Sequence, residues 1–175
     1  MMLHNHPRPG SSPLRAMVLA LALGAAACLG SGPARAADWV LYTAPDHSFS
    51  VSLPVTPEVQ LDSTGSLQIT SSPSENETYI VESTDLKASR EGVADQLFSA
   101  TLYTTAQNMK ATVQSQQRHQ ALGHPAEDIK MLSKEGYHVW ARWLIVDDHF
   151  IQLMHVAVTD DDQPHRFWDS FILRP

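Results

Sequence analysis

Cysteine is almost missing from this sequence: Cys28 is the only one in 175 residues. A disulfide framework within one chain is therefore excluded, and everything after residue 28 is without thiolate nucleophiles or cysteine metal ligands. Glycine is sparse too, with eight residues and no cluster able to cradle a phosphate. Neither a nucleophile-elbow serine, a serine-lysine pair at the spacing of the penicillin-binding enzymes, nor a zinc-protease histidine pair is present. Acidic residues are missing before Asp38. Nor is there an apolar run long enough to cross a bilayer core, since Ala16 to Leu29 falls short of the roughly 20 residues required.

What the first 36 residues do contain is a pattern of export. Arg8 and Arg15 precede the short apolar stretch, Gly30 to Pro33 breaks it, and Ala34-Arg35-Ala36 offers small residues for cleavage. A basic flank, an apolar core and a small-residue site are the three parts of a secretory signal. The expectation is a bacterial signal peptide over 1–36 and one domain over 37–175, periplasmic or secreted. A second reading runs through Cys28, because Ala25-Ala26-Ala27-Cys28 is a weak form of the lipoprotein signal. Lipidation there would anchor the domain to a membrane.

Loss of the signal would leave 139 residues, ample for a single core. These carry nine Lys and Arg against 19 Asp and Glu, a net charge of −10 with the histidines neutral. Such a surface repels phosphate backbones and anionic lipid, so no nucleic-acid partner is expected.

Along the domain, Trp39 to Tyr42 reads as a short strand and Phe49 to Leu53 as a half-buried one, ended by Pro54 and Pro57. Leu67 to Ile69 and Tyr79 to Val81 are strand candidates around a polar loop, 71–78. The spacing of Phe98, Leu102, Ala106, Met109 and Val113 predicts an amphipathic helix from about Glu91 to Val113, with Ser89 able to cap it. The helix should give way over 114–118 and Gly123-His124-Pro125 should turn the chain. From Tyr137 to Val158 the alternation predicts a hairpin about Asp147-Asp148, although Asp-Asp is weaker turn chemistry than Asp-Gly. Pro164 suits the first turn of a short helix to about Ser170, followed by a last strand at Phe171 to Leu173.

Several of these segments together resemble a known class. Trp39-x-x-Tyr42, Phe49-x-Val51-x-Leu53-Pro54 with Pro57, Gly123-x-Pro125-Ala126, Arg142 within the hairpin, and Phe167-x-Asp169-Ser170-Phe171 occur in the order of small exported PsbP-like domains. That class is related to the photosystem II extrinsic protein and to a Ran-binding import factor. The resemblance implies an α+β single domain, an antiparallel sheet flanked by helices in an α/β/α sandwich. It also implies accessory or binding roles with no shared catalytic site, though a fold alone does not carry function.

Two constellations stand out for chemistry. If Asp147-Asp148 forms a two-residue turn, His138 and His155 share a sheet face with Trp140 and Arg142. Two imidazoles and a carboxylate could bind a divalent metal, although no tight ligand spacing is present, and simple hydrogen bonding at the sheet is the plainer reading. Trp140 and Arg142 have hot-spot composition for a protein partner should they be exposed; the plainer reading buries the indole and pairs the guanidinium with a carboxylate. The aspartate runs 147–148 and 160–162 lack the spacing of a calcium loop and read as solvated turns. The expectation is thus a non-catalytic accessory or binding domain, with no cofactor, acting through a protein partner. The alternative is a periplasmic metal-binding protein using His138 and His155.

Overall fold

The computed structural model describes residues 39–87, 91–160 and 164–174. The expected signal peptide, its cleavage site, Cys28, Ser89 and two of the three aspartates at 160–162 lie outside these residues. The described chain forms ten strands and two α-helices, with a 3-10 turn over Glu91–Val93 leading into the first: β1 (Val40–Thr43), β2 (Phe49–Leu53), β3 (Glu58–Leu61), β4 (Leu67–Ser74), β5 (Glu77–Asp85), α1 (Ala94–Asn108), β6 (Ala111–Ala121), β7 (His124–Ser133), β8 (His138–Val146), β9 (His149–Ala157), α2 (His165–Asp169) and β10 (Ile172–Leu173).

Seven strands form one antiparallel sheet in the order β3-β4-β5-β9-β8-β7-β6. The period of two sends alternate side chains to opposite faces, and each face has its own core. Helix α1 covers one face, packing Phe98 with Ile129, Met131, Trp143, Phe150 and Met154. Over the other lies a small sheet, β1-β2-β10, together with α2; here Phe49, Val51, Leu53 and Phe167 meet Ile69, Val81 and Leu153. Ser170 fastens that layer, its hydroxyl donating to the Phe167 carbonyl at 2.7 Å and accepting the Ser52 N–H at 2.9 Å. The domain is therefore α+β, an antiparallel sheet enclosed on both sides.

The hairpin register is the expected one, with Val146 opposite His149 and Trp140 opposite His155. Two expectations need correction. Helix α1 stops at Asn108, and Lys110 turns the chain at φ 49°, so Val113 and the stretch expected to be irregular belong to β6. Strand β6 is the last strand of the sheet and largely exposed. Polar residues therefore occupy both of its faces, and no apolar alternation marks it. The polar loop expected at 71–78 is likewise mostly strand: β4 and β5 pair as far as Ser74 and Glu77, with a bulge after Ser71. Strand β3 went unforeseen for the same reason, all four of its residues being exposed.

Candidate functional site

The four side chains singled out by sequence lie on the sheet face that looks away from α1. Register places Tyr79, His155, Trp140 and Lys130 side by side on β5, β9, β8 and β7. Their rings stack in sequence: Tyr79 on His155 with centroids 4.4 Å apart, His155 on Trp140 at 5.3 Å, and Trp140 on His138 at 5.7 Å. The Lys130 ammonium lies 5.5 Å from the Trp140 ring centroid, within cation–π range. At the far end Trp39 and Phe167 meet Tyr79 edge-on.

This ladder holds the two imidazoles on separate carboxylates. His155, fully buried, has Nε2 3.1 Å from Glu77 Oε1, which also accepts the Tyr79 hydroxyl at 2.5 Å. His138 Nδ1 lies 3.4 Å from Asp160 Oδ1, an oxygen also held by Lys130. Lys130 keeps the Asp160 carboxyl below its ordinary range. Among the described residues no three His, Cys, Asp or Glu side chains converge as a metal site.

The indole of Trp140 is 6% exposed, and the Arg142 guanidinium donates twice to Asp128, Nε to Oδ1 and Nη2 to Oδ2, both at 2.8 Å. The pair expected to meet a partner if exposed is thus committed internally, because the ring ladder buries the indole and a bidentate carboxylate satisfies the guanidinium. Arg142 also lies 4.6 Å from the Trp168 ring centroid, and His119 Nε2 is 3.1 Å from Asp128 Oδ1. Burial works to raise the Asp128 pKa, but the bonds from Arg142 and His119 prevail and hold it below its ordinary value. Beside this network a cavity of about 360 Å³ opens between His119, Arg142, Trp168 and Asp169 over Leu144 and Leu153.

On the α1 side a polar row crosses the sheet, in which Glu82, Gln152, Trp143 and Glu127 are buried neighbours in register on β5, β9, β8 and β7. Burial first, and then the charge of Asp62, pushes the Glu82 pKa up. Glu127 Oε1 accepts from Gln116 at 2.6 Å and from Arg118 Nε at 2.9 Å. Arg118 Nη1 reaches Asp95 at 2.8 Å, and Nη2 donates to Ser99 at 2.8 Å. One guanidinium thereby binds the first turns of α1 to β6.

Next to this clamp lies a groove of about 450 Å³. Leu102, Tyr103 and Ala106 of α1 form one wall, Val113 and Gln116 of β6 the other, and Lys110 stands at its end. Tyr103 is 66% exposed, its hydroxyl accepting from Gln107 at 2.7 Å. The run 96–126, which includes nearly all of α1 and the whole of β6, contains no Asp or Glu. By sequence Leu102, Ala106 and Val113 read only as a helix stripe for the core, and Tyr103, Lys110 and Gln116 were not singled out. The acid-free run in an otherwise acidic chain, and a tyrosine beside rather than within the helix stripe, are the signals that point to them.

No family model matches this chain, and no curated protein does. Among solved structures it is similar to cyanobacterial PsbP (CyanoP) from Synechocystis sp. PCC 6803, with TM-score 0.55 and 13% identity over 87% of this chain and 99% of that one. The fold is PsbP-like. Weaker likenesses, at TM-scores of 0.38 and 0.41, are to a Bacteroides thetaiotaomicron protein (12% identity, 77% of this chain, 48% of that one) and to the Pseudomonas aeruginosa protein of unknown function PA94 (14%, 73% and 87%). Within the PsbP-like frame, the sheet carries a closed aromatic ladder on one face and an open groove on the other. No helix of the described residues is long and apolar enough to cross a membrane.

Proposed function

We propose that this protein is a non-catalytic accessory domain, exported from the cytoplasm, that works by docking a protein partner in the groove between α1 and β6. The observation that carries this reading is the exposed Tyr103 beside Leu102, Ala106 and Val113, in a groove whose lining residues include no Asp or Glu. An exposed aromatic in an apolar depression is the usual composition of an interface anchor. The Arg118 clamp supports it, because a groove whose walls are tied together costs little to order on binding. Export rests on the residues before Ala37. The PsbP-like fold is compatible with an accessory role. The metal alternative gains no support from His138 and His155, whose rings engage Trp140 and whose nitrogens face different carboxylates.

The test is site-directed photo-cross-linking in living cells with benzoylphenylalanine in place of Tyr103 or, on the opposite edge of the sheet, Leu61. A discrete adduct at position 103 and none at 61 is the expected result. Equal labelling at both, or none at 103, would overturn the proposal.

A further inference from the structure

Resting on that reading, we infer that the partner segment is an extended peptide that pairs with β6 as an eighth strand. Its alternate apolar side chains would enter the groove, and an acidic flank would lie near Lys110. Strand β6 pairs with β7 along one edge, from Ala111 to Ala121. Its other edge meets no backbone partner among the described residues. An edge of 11 residues without proline is a template for strand addition, in which main-chain hydrogen bonds give affinity and alternate side chains give specificity.

The groove lies where such a strand would need it. Val113 and Gln116 share the α1 side of the sheet with Met131 and Ile129, their register partners. Every second side chain of an added strand would face the same way, toward Tyr103, Leu102 and Ala106.

Charge selects the occupant. Arg118 is already neutralised by Asp95 and Glu127. That leaves Lys110, with no ion pair among the described residues, as the open charge at the groove, and an acidic flank is drawn to it. A second copy of β6 fits badly, because it would bring a second Lys110 to the same edge and supplies no carboxylate between Ala111 and Ala121. The opposite edge, β3, is a poorer template, with four residues beginning at Glu58.

The experiment uses a displayed library of random peptides of about 12 residues, a length that spans a strand of this size. Peptides are selected on the protein, resynthesised, and followed by affinity and by backbone hydrogen exchange. We expect selected sequences to alternate apolar residues beside acidic ones, and the amides of 112–120 to exchange more slowly with peptide bound. Tyr103→Ala, which alters an exposed side chain, should weaken binding about tenfold, whereas Leu61→Ala should not. N-methylation of alternate peptide residues in one of the two phases should abolish binding. Peptides that need Tyr103 but leave exchange in β6 unchanged would overturn strand addition and leave groove docking standing. Peptides indifferent to Tyr103→Ala, or no enrichment at all, would overturn both.

Discussion

Trp140 stacks on His155 across β8 and β9, ring centroids 5.3 Å apart and planes inclined by 20°. Both rings are buried, so the pair belongs to the fabric of the sheet. Trp140→Ala should destabilise the domain by about 3–5 kcal/mol, the usual cost of emptying a buried tryptophan site. Urea denaturation would measure it, and binding in the groove should survive wherever the variant remains folded.

Asp128 and Arg142 should show strong coupling in a double-mutant cycle. Asp128→Asn and Arg142→Met should each cost about 2 kcal/mol, and the double variant less than their sum, since each single change strands a partly buried partner. The depressed Asp128 pKa fixes the pH dependence. Its contribution is present above the ordinary value of 3.8 and is lost as pH falls through the lower folded value. Thermal midpoints of wild type and Asp128→Asn should therefore converge in acid.

Glu82 runs the other way. Its folded pKa is raised, so its favourable contribution is full below the ordinary 4.5 and is lost as pH rises through the folded value. Glu82→Gln should raise the thermal midpoint at neutral pH and make no difference below pH 4.5. An unchanged gap across that range would contradict the assigned burial effect.

In the turn between β8 and β9 only Asp147 has positive φ, at 52°. That is the pattern of a type II′ hairpin turn, where glycine is preferred at the first central position. Asp147→Gly should stabilise the domain by about 0.5–1 kcal/mol, and Asp148→Gly should not. Denaturant midpoints of the two variants would separate the positions.

The legible parts of this fold are those where burial imposes a period. Trp140 opposite His155 followed from counting outward from Asp147 and Asp148, and the core stripe of α1 followed from Phe98 and its successors. What escaped was written in side chains that burial does not sort. Residues 111–121 give no alternation because both faces of β6 are largely wet, and the strand had to be found from its pairing with β7. The candidate site escaped with it, since Val113 counted as the end of a helix. Shared facing of His138, His155, Trp140 and Arg142 was readable; their partners, Asp160, Glu77 and Asp128, come from other strands and loops, and no local spacing reveals them.

The bulge between Val113 and Ser115 has a bearing on which chains this protein tolerates as neighbours. An extra residue bends the strand and increases its twist, so an added strand must follow that bend to pair along the whole of β6. A short segment can use one side of the bend. A bent, twisted edge is a poorer template than a flat one for the repetitive stacking of identical strands that builds fibrils.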